Sequence, residues 1–147
     1  MRLDHLCDVS WIYDLLHEVE PGEAADGRVY GQGTGTLVGR LSGTAQWSNF
    51  PRVRAGHALP DARGVIHVPD GGEVLFALTG LSSLTDGSGV HVMTFQTAAP
   101  SYLWLNDVLA VGEGTIDVEH SQLAMRYYEC GVELPVPDFR ASQAGQR

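Results

Sequence analysis

Residues 28 to 38 repeat with a period of two. Val29, Gly31, Gly33, Gly35 and Leu37 fall on one side of an extended chain, and Tyr30, Gln32, Thr34 and Thr36 fall on the other. Side chains of a strand point alternately to opposite faces, whereas a helix repeats every 3.6 residues, so this stretch is specified as β. The row of glycines constrains it further. Missing side chains within a sheet mark close approach by another element, sharp curvature, or space for a ligand. The segment Gly31-Gln32-Gly33-Thr34-Gly35 is not a dinucleotide fingerprint, because its spacing is wrong and no helical pattern follows it.

The same alternation runs through most of the chain. From Leu3 to Val19 the odd positions carry Leu, Cys, Val, Trp and Tyr while the even ones include Asp4, Asp8, Asp14 and Glu18. This predicts one long, bent strand with its odd face inward. Acidic residues 20 to 27 make a solvated turn. Strand Leu41 to Asn49 places Leu41, Gly43, Ala45, Trp47 and Asn49 inward, and its small residues leave volume that Trp47 only partly fills, as in a hollow barrel. Phe50 to Pro60 reads as a rim loop or lid. A strand from Asp61 to Val68 follows, with Asp61, Arg63, Val65 and His67 on one face. Further strands are expected over 73 to 80 (Val74, Phe76 and Leu78 inward), 89 to 98, 108 to 119 and 122 to 130, with a short helix near residues 100 to 106 starting at Pro100. Residues 135 to 147 read as a loose tail behind a single domain spanning 1 to 134. Short strands in sequence without βαβ alternation give an all-β fold: one antiparallel barrel of about 8 to 10 strands, lipocalin-like in appearance.

Composition removes several function classes. The chain has 147 residues and a net charge of -9, and its basic residues are all arginine. That field repels phosphate backbones and anionic lipid, so neither nucleic acid nor membrane is expected as a partner. The acidic start lacks a secretory core, which places the chain in the cytoplasm. Cys7 and Cys130 have no CxxC spacing and are expected as reduced thiols, bridging only if the terminal strands are neighbours.

Several motifs occur in a recognisable order. They are Gly33-Thr34-Gly35, Leu41-Ser42-Gly43, Trp47-Ser48-Asn49-x-Pro51, Leu59-Pro60-Asp61-Ala62-Arg63-Gly64-Val65, Asp70-Gly71, Val74-Leu75-Phe76-x-Leu78-x-Gly80, Trp104-Leu105-Asn106-Asp107 and Val111-Gly112-Glu113-Gly114. Together they resemble the bacterial domain of unknown function family 3237, also called uncharacterised protein family 0311. The resemblance covers residues 28 to 130. It implies a small β-barrel discussed as an enzyme or ligand-binding protein, with its recurring Asp-Ala-Arg on Asp61, Ala62 and Arg63 and its Trp-Leu-Asn on Trp104, Leu105 and Asn106.

The segment from Trp47 to Arg63 holds the densest chemistry. Asp61 and Arg63, two apart on a strand, share a face about 7 Å apart. In the functional reading Arg63 binds a carboxylate or enolate oxygen while Asp61 moves a proton; a structural ion pair is the alternative. Trp47, Asn49, Trp11, Tyr13, Tyr128, Asn106 and Glu113 are the expected pocket residues. Against that, a buried Trp is often simply core, Asn106 could cap its helix, Glu113 could face solvent, and only one of Tyr127 and Tyr128 can point inward. His57, Asp61 and His67 lack metal-ligand spacing, so neither metal nor cofactor is expected. The leading expectation is a cofactor-independent isomerase, cyclase or lyase acting on an apolar or aromatic carbonyl or polyketide-like compound. The rivals are a non-catalytic carrier using the same lumen, and an interaction domain that assembles through barrel edges, as in a homo-oligomer.

Overall fold

The computed structural model describes residues 1–134, 138 and 140. In chain order it forms β1 (Arg2–Val19), β2 (Gly27–Gly39), β3 (Gly43–Asn49), β4 (Arg52–Arg54), β5 (His57–Leu59), β6 (Asp61–His67), β7 (Glu73–Ser83) and β8 (Ser88–Thr97), then a 3-10 helix (Pro100–Asp107), β9 (Leu109–Asp117) and β10 (Gln122–Gly131). Eight strands close an antiparallel ring, β1-β2-β3-β6-β7-β8-β9-β10, with β10 returning to β1. Closure removes the exposed strand edges of an open sheet. The expected tail lies outside the described residues apart from Asp138 and Arg140. No helix among the described residues is long and apolar enough to cross a membrane.

β1 keeps the expected odd-in alternation only between two bulges. Register shifts between His5 and Cys7, and again between Tyr13 and Leu15. An extra residue in one strand resets which face the following side chains occupy. Cys7, Val9 and Trp11 are therefore buried inside the barrel together with Leu6, whereas Leu15 to Val19 are exposed. The terminal strands are neighbours, but the cysteines are out of register: Cys130 pairs with Leu3 while Cys7 pairs with Tyr127, and both thiols are free.

The segment read as a rim loop is a pinned hairpin. β4 pairs with β2 at Gly27↔Val53, and β5 pairs with β7 at Ala58↔Ser82, so the hairpin bridges two walls of one barrel end. Its tip, Ala55-Gly56, has φ of 51° and 77°, the left-handed geometry of a tight two-residue hairpin turn. The other end is plugged. Leu6, Leu37, Leu41, Ile66, Val74, Met93 and Leu105 are each at most 2 % exposed there, with Leu105 supplied by the helix that follows β8.

Candidate functional site

At the hairpin end the packing gives way to a chamber of about 70 Å³ walled by Trp11, Trp47, Phe76, Leu78, Ile116 and Leu123 among others. It adjoins a vestibule of about 500 Å³, and Tyr13, Pro51, Ala58, Ile116 and Leu123 line both spaces. The chamber alone has room for about five water-sized spheres. With the vestibule, the space reaches the range of small-molecule sites, about 300–1,000 Å³.

The glycine row explains the walls. A Cβ on Gly31 would sit 2.6 Å from the Tyr13 ring, one on Gly33 2.5 Å from Trp47, and one on Gly35 2.6 Å from Trp11. The missing side chains let three aromatic rings from neighbouring strands lie against β2. Tyr13 meets Trp47 edge-on at 4.6 Å between centroids, and Trp11 meets Trp47 at 6.4 Å. Such pairs add about 1 kcal/mol each beyond simple burial. Of the three uses a glycine row can have, close approach is the one realised here.

Each of two tyrosines crosses a glycine to reach a polar partner. Tyr13 lies over Gly31, whose cross-strand neighbour is Asn49, and its phenol oxygen accepts a hydrogen bond from Asn49 Nδ2 at 3.1 Å. Asn49 Oδ1 in turn accepts from the Asp61 backbone N–H at 2.9 Å, which fixes the amide. Across the barrel, His91, Gly112 and Tyr127 form one cross-strand row, and the Tyr127 ring lies over Gly112 with its oxygen 2.8 Å from His91 Nδ1. Trp11 Nε1–H donates to the same oxygen at 3.0 Å.

The proton positions follow from counting. An indole N–H can only donate, so the Tyr127 oxygen accepts from Trp11 and its own proton goes to His91 Nδ1. The opposite arrangement would bury a phenol proton with no acceptor. His91 Nδ1 is thus an acceptor, and the neutral ring carries its proton on Nε2. That nitrogen is buried and has no hydrogen-bond partner among the described residues, on a side chain only 3 % exposed in the chamber wall. Burial lowers the His91 pKa to about 4, so the imidazole is neutral at neutral pH. Burial likewise raises Tyr127 far above an ordinary phenol, and raises Tyr13 against the opposing pull of its bond to Asn49. The chamber therefore presents uncharged polar groups in an apolar shell, with Ser82 also in its wall.

The expected acid–base pair is not in this chamber. Asp61 and Arg63 lie on the outer face of β6, both exposed, while Ala62 and Ile66 are the buried residues of that strand. The cause is register: Asn49 pairs with Ala62 and Trp47 with Gly64, so an odd inner face on β3 requires an even one on β6. Arg63 instead lines a shallow outer groove with Gln32, Gln46 and Ser48. Asp61 contributes through its backbone N–H alone. Glu113 is exposed on β9. Exposed Asn106 ties the helix to the end of β8, accepting from the Thr97 N–H and donating to the carbonyls of Thr97 and Leu103. Of the two neighbouring tyrosines, Tyr127 is fully buried inside and Tyr128 faces the other way, half-buried. Trp11, Tyr13, Trp47 and Asn49 do converge on the chamber. The inward tyrosine is Tyr127, whereas His91 and Ser82 are site residues that the motifs do not mark, although His91 shares its alternation with Met93 and Phe95, which is the pattern of an inward position.

Metal-binding groups do not gather in the chamber. His57 is exposed, with Nδ1 3.0 Å from the Ala55 carbonyl, and His67 sits 3.8 Å from Glu73. Asp117, Glu119 and His120 cluster on the exposed β9–β10 turn, where His120 Nδ1 is 2.7 Å from Asp117, the arrangement of a solvated turn.

No family model matches the chain, and no curated protein matches it. Solved structures do resemble it. A protein of unknown function from Clostridium acetobutylicum superposes with a TM-score of 0.78 at 16% identity, covering 89% of this chain and 100% of that one. A β-barrel-like protein from Acinetobacter baumannii gives 0.74 at 21% identity over 87% of this chain and 94% of its own. An enzyme from Penicillium herquei gives 0.65 at 22% identity over the same shares, 87% and 94%. At these identities the likeness establishes a common fold: this chain is built like a group of small β-barrel proteins, most of them uncharacterised.

Proposed function

We propose that the barrel binds an apolar or aromatic carbonyl compound, carbonyl first, and promotes cofactor-independent chemistry of isomerase, cyclase or lyase type on it. The observation that carries this reading is the buried His91 Nε2–H, an uncharged donor without a partner among the described residues, on a side chain in the wall of an apolar chamber. A buried donor without an acceptor costs about 1–3 kcal/mol, so a ligand oxygen that completes it recovers that free energy. In a site shielded from water, a fixed donor facing a carbonyl oxygen stabilises the negative charge that develops when the adjacent carbon loses a proton or is attacked. A neutral imidazole suits this role, since it donates without having to give up a charge. Tyr13 O–H, held by Asn49, is the second donor at the junction with the vestibule. The exposed aliphatic residues of the vestibule, including Leu16, Val19, Leu84 and Val118, form an apolar patch of the kind that marks a ligand entrance. The resemblance to an enzyme from Penicillium herquei is consistent with catalysis on this fold.

The test uses 1-acetylnaphthalene and its matched hydrocarbon 1-ethylnaphthalene. The ketone should quench the fluorescence of Trp11 and Trp47 and bind about tenfold more tightly than the hydrocarbon. Its carbonyl stretch should move to lower wavenumber on binding, and His91→Phe should abolish the movement. Equal affinity for the two probes, with an unmoved stretch, sinks the proposal. Carriage without catalysis is distinguished by turnover: small molecules retained by the native protein, identified by mass spectrometry, should be chemically converted by fresh protein and not by His91→Gln.

A further inference from the structure

The charges of the entrance select the other end of the ligand. Asp14, Glu18 and Glu20 line the vestibule, and none of them forms an ion pair or side-chain hydrogen bond among the described residues. No arginine among the described residues lines the chamber or the vestibule. Of the arginines of β2 and β4 near this end, Arg28 lies 4.0 Å over the Phe50 ring and Arg52 is 3.8 Å from Asp26, while Arg54 is exposed beside the hairpin tip. The bulge after Tyr13 interrupts the alternation of β1, and Asp14 lines both the vestibule and the outer groove. Among the described residues the inner chamber holds no charged side chain, and the charged residues that line the vestibule are all acidic.

We propose that the ligand is a carbonyl compound whose vestibule end carries a protonated amine, and that carboxylates and phosphate-bearing compounds are rejected at the entrance. This rests on the carbonyl-first reading of the chamber, and it makes Asp14, Glu18 and Glu20 residues that determine specificity without touching the reacting atoms. Three solvated carboxylates lining the same space as one ligand charge shift affinity by about tenfold in each direction at low ionic strength. A neutral tail falls between.

Three probes test this, each an acetylnaphthalene head on a short alkyl chain ending in an ammonium, a hydroxyl or a carboxylate. Binding is read by tryptophan quenching in 10 mM and in 1 M salt. The expected order in low salt is ammonium tightest, hydroxyl about tenfold weaker and carboxylate about tenfold weaker again. The spread should shrink in 1 M salt, where screening acts over about 3 Å. It should also collapse in the surface variant Asp14→Asn/Glu18→Gln/Glu20→Gln; the salt series on the unaltered protein gives the same readout without any substitution. If the hydroxyl probe binds but the three tails are equivalent, the amine preference is overturned while the carbonyl site stands. An order that persists unchanged in the triple variant and in 1 M salt also overturns it. If no probe binds, the hydroxyl one included, both readings fail together.

Discussion

Replacing Tyr127 by Phe removes one oxygen and leaves the ring in place over Gly112. That oxygen accepts from Trp11 Nε1 at 3.0 Å and donates to His91 Nδ1 at 2.8 Å, and all three residues are at most 4 % exposed. Two buried polar atoms therefore lose their only protein partner here, at about 1–3 kcal/mol each. The expected loss is about 2–6 kcal/mol, a large share of the total stability of about 5–15 kcal/mol for a domain. For a chain of this size the melting temperature should fall by about 6–18 °C. Urea denaturation gives the free energy, and an unchanged dependence on denaturant would show that the folded state is still compact. The same variant probes the tautomer. In the native protein Tyr127 holds the His91 proton on Nε2, and side-chain ¹⁵N chemical shifts should show that single form; in Tyr127→Phe both forms should be populated. A loss below about 0.5 kcal/mol with an unaltered tautomer would refute the hydrogen-bond chain and the donor role of His91 that depends on it.

Three more predictions follow from the same geometry. Because burial holds His91 at about 4 in the folded protein against an ordinary 6.5, the unfolded chain takes up that proton first as pH falls. Its contribution is complete above about pH 6.5 and is lost between there and pH 4, so the native protein should lose about 3 kcal/mol more than His91→Gln between pH 7 and pH 4 in urea titrations. Gly112→Ala would put a Cβ 2.5 Å from the Tyr127 ring, which is hydrogen-bonded at its far end and cannot retreat. A loss of about 2–3 kcal/mol by thermal or urea unfolding is expected, and a neutral effect would mean that the ring is not held there. Asp61→Asn and Arg63→Gln, on the outer face, should change stability by no more than about 0.5 kcal/mol and leave the acetylnaphthalene affinity unaltered; a tenfold change in affinity would return these residues to the site.

Much of the fold was legible because strand alternation is a local property. Val74, Phe76 and Leu78 needed no partner strand to declare their inward face, and the barrel class followed from the series of such segments. The candidate site was legible only in part. Trp47 and Asn49 lie on a strand whose alternation is unbroken, and both point where the pattern sends them. On β6 the inner face is marked by the small and apolar residues Ala62 and Ile66, and that pattern sends the more reactive side chains of Asp61 and Arg63 outward. His91 carried a readable signal in its spacing from Met93 and Phe95, yet nothing local distinguishes a histidine that lines a cavity from one that merely packs.

The residue pattern alone specified an extended, antiparallel chain and left three uses open for the row Gly31, Gly33 and Gly35: close approach, curvature or ligand space. Only the tertiary structure decided that the barrel closes and that aromatic rings fill the row. The rings that fill the row come from Tyr13 and Trp11 on β1 and from Trp47 on β3, and the partners of the two tyrosines, Asn49 and His91, are reached across strands 36 residues away in sequence in each case. Such meetings depend on register, and register is set by bulges and by the length of the intervening hairpin. A shift of one residue on any strand would exchange its inner and outer faces, and with them the residues available for chemistry.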